Sequence, residues 1–127
     1  MPASARLFLA LGASALFAAV ALGAFGAHAL KSELAPGMLA IYRTGVEYHF
    51  YHALGLLAVG LLALRLPDSK PLRASGTLMA AGIVIFSGSL YLLALTGVRA
   101  LGAVTPFGGV AFLLAWALFA LAAAKAR

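Results

Sequence analysis

Long runs of residues without a Lys, Arg, Asp or Glu side chain are the feature that most limits what this chain can fold into. A helix needs about 20 apolar residues to cross the hydrocarbon core of a bilayer, and three of the four runs exceed that length. The runs are Leu7–Leu30, Tyr48–Leu64, Ala74–Val98 and Ala100–Ala124. They predict an all-α membrane protein, a four-helix up-down-up-down transmembrane bundle that forms a single membrane domain over residues 1–127. The predicted spans are residues 7–30, 46–65, 74–97 and 104–124.

Composition supports a membrane protein and argues against an ordinary soluble domain and against a nucleic-acid-binding protein. Hydrophobic residues make up 65% of the chain and charged residues 9%, whereas roughly 25% of the residues in an ordinary soluble domain are charged. The net charge of +6 comes from Lys and Arg side chains that flank the apolar runs, where they anchor helix ends near lipid headgroups. We therefore expect the lipid bilayer, and no nucleic acid, as a partner. The chain has no Cys, which excludes disulfides and thiolate metal sites.

The second apolar run is short, and the residues before it indicate how that helix is completed. Pro36 suits the first turn of a helix, and residues 36–47 carry an amphipathic set of apolar side chains. We predict a short interfacial helix over residues 36–47 that leads into the second span. Arg43 and Glu47 lie four residues apart on this segment and can form an ion pair.

The distribution of positive charge predicts the orientation in the membrane. The links between the runs are short, so consecutive helices should be antiparallel neighbours. One side of the membrane then receives Arg6, Arg65, Lys70, Arg73, Lys125 and Arg127, and the other side receives Lys31, Arg43 and Arg99. The positive-inside rule places both termini in the cytoplasm, and we expect a multi-pass protein of the inner membrane.

The first run also resembles a secretory signal, because small residues flank His28 at its end. Its apolar stretch is longer than the core of about 7 to 15 residues that such signals carry, and we expect the segment to be retained as a helix. Small residues at every fourth position predict close helix packing in lipid. Such stripes are formed by Ala15, Ala19, Gly23 and Ala27 in the first span and by Gly76, Ala80 and Gly88 in the third.

All three His side chains are predicted toward the non-cytoplasmic ends of the spans. His28 lies at the end of the first span, and His49 and His52 lie at the start of the second. Ionisable groups within a membrane are candidates for function because their burial is unfavourable. Two facing His could ligate a haem and three could hold Zn or Cu. Hydrogen bonds across the bundle or to the headgroup layer are the simpler interpretation, so we expect no metal and no cofactor.

Glu47 is the acidic residue nearest to a span, and two interpretations of it remain open. It can pair with Arg43 at the membrane interface, where an exposed ion pair contributes roughly 0 to 1 kcal/mol. If it instead points into the bundle toward His28 and Arg99, it becomes a candidate proton or cation site.

Hydroxyl groups supply further polar candidates. Thr105 and Pro106 predict a helix start, with Thr105 as the N-cap and Pro106 at the first helical position. Ser87 and Tyr91 are four residues apart in the third span and can face one neighbouring helix as hydrogen-bond partners. The sequence contains no Ser/His/Asp arrangement, paired carboxylates, phosphate-binding loop or dinucleotide fingerprint, and we expect that the protein is not an enzyme.

Several stretches spread over all four helices resemble one family. They are Gly23–Lys31, Thr44–Ala53, Phe86–Tyr91, Thr96–Gly97 and Thr105–Gly109. On these stretches the chain resembles the domain of unknown function 423 family, small membrane proteins like transmembrane protein 256. The resemblance implies a four-helix inner-membrane protein and no established biochemical activity. The matching residues fall mainly at the predicted non-cytoplasmic ends of the spans.

These observations lead to three hypotheses about function. The leading one is a non-enzymatic binding or accessory protein whose polar cluster at the non-cytoplasmic end binds a small ligand, a lipid or a membrane partner, including a homo-oligomer. The candidate residues for this cluster are His28, Glu47, His52, Ser87, Tyr91 and Thr105. The alternatives are a small transporter or ion pathway and a haem or metal binding membrane protein.

Overall fold

The computed structural model describes residues 1–126 and consists of four long helices, here numbered α1 to α4. They are α1 (Ala3–Leu30), α2 (Pro36–Ala63), α3 (Lys70–Thr96) and α4 (Thr105–Lys125), with a 3-10 helix at Arg99–Ala103 before α4. All four helical segments are long and apolar enough to cross a membrane, and residues 1–126 contain no strand. The predicted all-α class is confirmed. Arg127, one of the six cations predicted on the cytoplasmic side, lies outside the described residues.

The start of α2 agrees with the sequence prediction, but the interfacial segment is not a separate helix. Pro36 occupies the first turn, where its missing N–H has no helical partner to lose. Residues 36–47 continue without a break into the rest of α2, so the lead-in and the span form one helix of 28 residues. At 1.5 Å per residue, α2 is about 42 Å long.

The start of α4 differs from the prediction. Val104, and not Thr105, is the N-cap residue, and no side chain caps this helix. Val104 already has right-handed helical backbone angles because the preceding 3-10 helix leads directly into α4. The Thr105 hydroxyl is therefore not needed as a cap and contacts α3 instead. At the other end of that connection, Gly97 has a φ of 73° and ends α3 in the left-handed conformation that glycine adopts most easily.

Helix α1 packs along α2 in the opposite direction. Gly12 lies against Leu57, and a β-carbon at Gly12 would come within 2.9 Å of the Leu57 backbone nitrogen. Near the other end of α1, Gly26 lies against the ring of Tyr42. The small-residue stripe predicted on α1 is thus only partly correct: Ala19 is buried, but Ala27 is exposed.

Helix α3 packs against both α2 and α4. Gly76 and Gly82 of α3 lie against aromatic rings of α1 and α4, respectively. A β-carbon added at Gly88 would meet no atom within 4 Å. Gly88 was predicted as part of the packing stripe of α3, but it takes no part in helix packing. At Gly108 the backbones of α3 and α4 approach each other, and a β-carbon there would lie 2.5 Å from the backbone nitrogen of Phe86.

Two of the helices contain a π-helical segment, Gly26–Leu30 in α1 and Ile83–Ser87 in α3. Such segments insert an extra residue into a helix and occur frequently at functional sites. The segment in α3 holds Phe86 against Gly108, and so fixes one wall of the space between α2 and α4.

Candidate functional site

A groove between α2 and α4 is lined mainly by aromatic and aliphatic side chains. Its volume is about 560 Å³, within the range of roughly 300 to 1,000 Å³ that small-molecule sites occupy. The lining residues are Tyr48, Tyr51, His52, Phe86, Pro106, Gly109, Val110, Phe112, Leu113 and Trp116. None of these side chains carries a formal charge when His52 is neutral. The groove therefore suits an apolar occupant.

His52 is the polar centre of the groove, and its hydrogen bonds determine its tautomer. Nδ1 lies 2.7 Å from the carbonyl oxygen of Tyr48, which can only accept, so Nδ1 carries the proton and donates it. Nε2 is then an acceptor and receives the indole N–H of Trp116 at 3.0 Å. His52 is 4% exposed and both of its ring nitrogens are in use, which matches the interpretation that His side chains bond across the bundle.

Aromatic stacking completes the wall around His52. The imidazole lies parallel to the ring of Phe112, with centroids 3.4 Å apart and an interplanar angle of 7°. Trp116 is tilted against the same imidazole, and Tyr48 contacts Phe86 with centroids 4.6 Å apart. His52 thus fixes the positions of Phe112 and Trp116, two α4 side chains that form the groove.

The positions of His49 and His52 along α2 follow from the length of this helix. His49 and His52 lie about 20 and 24 Å from the Pro36 end of a helix about 42 Å long, and so are near its midpoint. Because α2 is continuous from Pro36, these two residues are not at the start of the helix. Of the three His side chains, only His28 lies at a helix end, in the last turns of α1.

Ser87 and Tyr91 both contact α2, as their spacing predicted. The fully buried Ser87 hydroxyl donates to the Gly45 carbonyl oxygen at 2.7 Å. The Tyr91 hydroxyl lies 2.9 Å from Nδ1 of His49. His49 therefore connects α2 to α3 through its imidazole.

Thr105 makes a separate contact between α4 and α3. The Ser89 hydroxyl donates to the Phe86 carbonyl oxygen at 2.8 Å, so the Thr105 hydroxyl is the donor to Ser89 Oγ at 2.6 Å. Toward the other end of α3, the buried Ser75 hydroxyl donates to the Ala115 carbonyl oxygen at 2.6 Å. Hydroxyl groups thus join α3 to α4 at two separate levels of the bundle.

His28 and Glu47 lie away from these contacts. Both are exposed at the outer surface of the bundle, and Glu47 lines a small cavity between α1 and α2 together with Arg43 and Gly23. Glu47 does not point into the bundle, so the interior arrangement with His28 and Arg99 is wrong. The six candidate residues therefore belong to separate contacts, and only His52 lines the groove between α2 and α4.

The aromatic residues that form the groove were not among the candidates selected from the sequence. Gly109, Phe112 and Trp116 follow each other at spacings of three and four residues and so share one face of α4. Trp116 is the only Trp in the chain, and it lies within an uncharged run. This face of α4 could be recognised in the sequence, but the residues of α2 that it contacts could not.

The possible metal and haem ligands are spread apart or already hydrogen-bonded. Among residues 1–126, no three His, Cys, Asp or Glu side chains lie close enough together to hold a metal ion. Both nitrogens of His52 are engaged in hydrogen bonds, and Nδ1 of His49 contacts the Tyr91 hydroxyl. A metal at either imidazole would have to displace one of these hydrogen-bond partners.

Comparison with known proteins identifies close relatives. A family model described as protein of unknown function (DUF423) matches residues 22–109. The UPF0382 membrane protein YwdK of Bacillus subtilis (strain 168) is 49% identical over 120 residues, which are 94% of this chain and 98% of the relative. The UPF0382 inner membrane protein YgdD of Escherichia coli (strain K12) is 40% identical over 124 residues, 98% of this chain and 94% of the relative. No solved structure matches the chain.

Proposed function

Because the chain belongs to the DUF423 family of membrane proteins, for which no activity is stated, we propose a function from the geometry of the groove. The protein is a non-enzymatic lipid-binding protein of the inner membrane. It holds one acyl chain of a phospholipid in the groove between α2 and α4. The name of the Escherichia coli relative supports the inner-membrane location.

The length and direction of the groove carry this proposal. Its α4 wall extends from Pro106 to Trp116, which is about 15 Å of helix. The hydrocarbon core of a bilayer is about 30 Å thick, so the groove matches the depth of one leaflet. It begins at the end of α4 that the charge distribution places on the non-cytoplasmic side, and it runs toward the middle of the bundle. An acyl chain of the non-cytoplasmic leaflet has this direction.

The exposure of the rim supports lateral access from the bilayer. Leu113 is 74% exposed and Val110 and Tyr51 are each 54% exposed, although all three line the groove. A lipid can therefore enter from the side without passing through the protein. The polar groups at the base are used to hold aromatic rings in place, which is the reason for proposing binding rather than catalysis.

Filling the groove should remove the bound lipid. Gly109 lines it, and a β-carbon there would only touch the Phe86 ring, at 4.0 Å. We expect Gly109→Leu to fold normally and to place its side chain where the acyl chain lies. Native mass spectrometry of protein purified in a mild detergent should show one retained phospholipid per wild-type chain and a loss of that lipid in Gly109→Leu.

The control adds bulk at a lipid-facing position outside the groove. Leu114 is 51% exposed on α4 and does not line the groove, so Leu114→Phe should retain the phospholipid as the wild type does. Equal retention by Gly109→Leu and the wild type would refute binding in the groove. Equal loss in Leu114→Phe would also refute it, because the lipid would then be bound only at the general protein surface.

The proposed orientation is up-down-up-down, with both termini in the cytoplasm. It is supported by the antiparallel packing of consecutive helices and by the excess of Lys and Arg at one end of the bundle. Because the chain contains no Cys, single Cys variants can be labelled without a background. In intact cells with a permeabilised outer membrane, an impermeant maleimide should label Ser32→Cys and should label Asp68→Cys only after lysis. The reverse labelling pattern would show that both termini lie on the non-cytoplasmic side.

A further inference from the structure

We propose that the exposed face of α2 that carries Arg43 and Glu47 is the interface of a two-fold symmetric homodimer. In this dimer each Arg43 pairs with Glu47 of the second copy. This face is a different surface from the groove, and dimerisation through it does not depend on lipid binding there.

The position of Glu47 along the bundle is the first observation. Glu47 is exposed and lines a cavity together with Arg43 and with Gly23 of α1. Gly23 is eight residues before Lys31, the first charge at that end of α1, and eight residues of helix span about 12 Å. Glu47 therefore lies beside an uncharged part of α1 and faces outward. An acidic side chain at that depth needs a partner, because acyl chains cannot solvate it.

The pattern of the exposed face is the second observation. Ala40, Glu47, Leu54 and Leu61 are all exposed and are spaced seven residues apart along α2. A seven-residue repeat on one face is the spacing with which two parallel helices pack along a shared seam. Ala27 of α1, which is exposed and lines the same cavity as Glu47, is small enough to allow close approach beside this seam.

Charge complementarity selects a second copy as the occupant. Arg43 and Glu47 lie one turn apart, about 6 Å along the helix axis. In a two-fold interface the same patch is present on both sides, so residue 43 can contact residue 47 of the second copy and the reverse contact follows by symmetry. Because each copy contributes one cation and one anion, every charge in the interface then has a partner of opposite sign. Ion pairs between defined positions of two parallel helices also set the register in which the helices pack.

Charge reversal distinguishes pairing between chains from pairing within a chain. Arg43→Glu gives a chain with two acidic residues on the face, and Glu47→Arg gives a chain with two basic residues. Each variant alone should be monomeric in native mass spectrometry, whereas the wild type should be a dimer. When the two variants are co-expressed with different affinity tags, they should form a heterodimer, because both pairs between the chains are then again of opposite charge.

The possible results support or overturn the dimer. A monomeric wild type, a dimer that neither reversal weakens, or single variants that the mixture does not rescue would each overturn it. The last result would point to a pair within one chain or to a lipid headgroup at this face. A phospholipid that a monomeric wild type retains, and that is lost in both variants, would likewise assign the face to a headgroup.

A cross-linking experiment covers the case in which the charge variants fail to fold. Ala40→Cys places a thiol on the seam, where two copies would meet across the two-fold axis, in a chain that has no other Cys. Oxidation in native membranes should give a disulfide-linked dimer. Phe107→Cys, at a position 72% exposed on α4, is the control and should remain monomeric. Equal cross-linking at both positions would overturn the assignment of the interface.

Discussion

Replacement of Gly108 by Ala is expected to lower the free energy of unfolding by about 3 kcal/mol, the upper part of the range for overpacked sites. The β-carbon would lie 2.5 Å from the Phe86 backbone nitrogen and 2.7 Å from its α-carbon. Backbone atoms cannot rotate out of the way as a side chain can, so α3 and α4 must separate. That movement also weakens the Thr105 to Ser89 hydrogen bond, which lies in the same contact.

Gly88→Ala is the matched control for this substitution. Gly88 lies in the same pair of helices, and a β-carbon there meets no atom within 4 Å. Since Ala favours a helix by about 1 kcal/mol over Gly, this variant should be as stable as the wild type or slightly more stable. Helix content followed by circular dichroism during titration with sodium dodecyl sulfate in mixed micelles measures both values. Equal stability of the two variants would show that α3 and α4 are not in close contact at Gly108.

The helices themselves could be predicted because the hydropathy of a segment depends on its own residues. Each uncharged run corresponds to one helix, and Pro36 correctly indicated that α2 begins well before its apolar run. In a bilayer the backbone must satisfy its hydrogen bonds within a helix, so a long apolar run has few other structures available. The order and short links of the runs then favour neighbours that pack along each other, and α1 contacts α2 at Gly12 while α3 contacts α4 at Gly108.

The side-chain partners could not be predicted, because they depend on how far each helix is shifted and rotated against its neighbour. Thr105 illustrates this: its sequence context suits an N-cap, but its hydroxyl donates to Ser89 because α3 lies beside it. Glu47 had two possible directions, and the rotation of α2 places it on the outer surface. Sequence spacing identifies which residues share a helix face, and Ser87 and Tyr91 were found on that basis.

Predicting the groove would have required two kinds of information: which residues share a helix face, and how the helices are placed against each other. His52 was selected as a polar residue in an apolar helix, but its partner Trp116 is 64 positions later in the chain. Nothing in the sequence near either residue indicates the other. Once α2 and α4 both pack against α3, the need to satisfy a buried imidazole and an indole N–H in a medium without water explains why His52 and Trp116 pair.

Replacement of His52 by Ala should show how much of the groove depends on this one imidazole. The substitution removes a side chain that is 4% exposed, leaves a cavity beside Phe112, and leaves the Trp116 N–H without its acceptor. We expect a loss of about 2 to 4 kcal/mol in the free energy of unfolding. Because Trp116 is the only Trp, its time-resolved fluorescence anisotropy should also report faster motion of the indole.

His28→Ala is the control, because His28 is exposed at the end of α1 and should change stability by no more than about 0.5 kcal/mol. A double-mutant cycle between His52→Ala and Trp116→Phe isolates the hydrogen bond from the cavity. Interhelical hydrogen bonds in membrane proteins average about 0.6 kcal/mol and reach about 1.7 kcal/mol, so the coupling energy should fall in this range. A coupling energy of zero with unchanged indole motion would mean that Phe112 stacking alone holds the wall of the groove, and that His52 has no part in positioning Trp116.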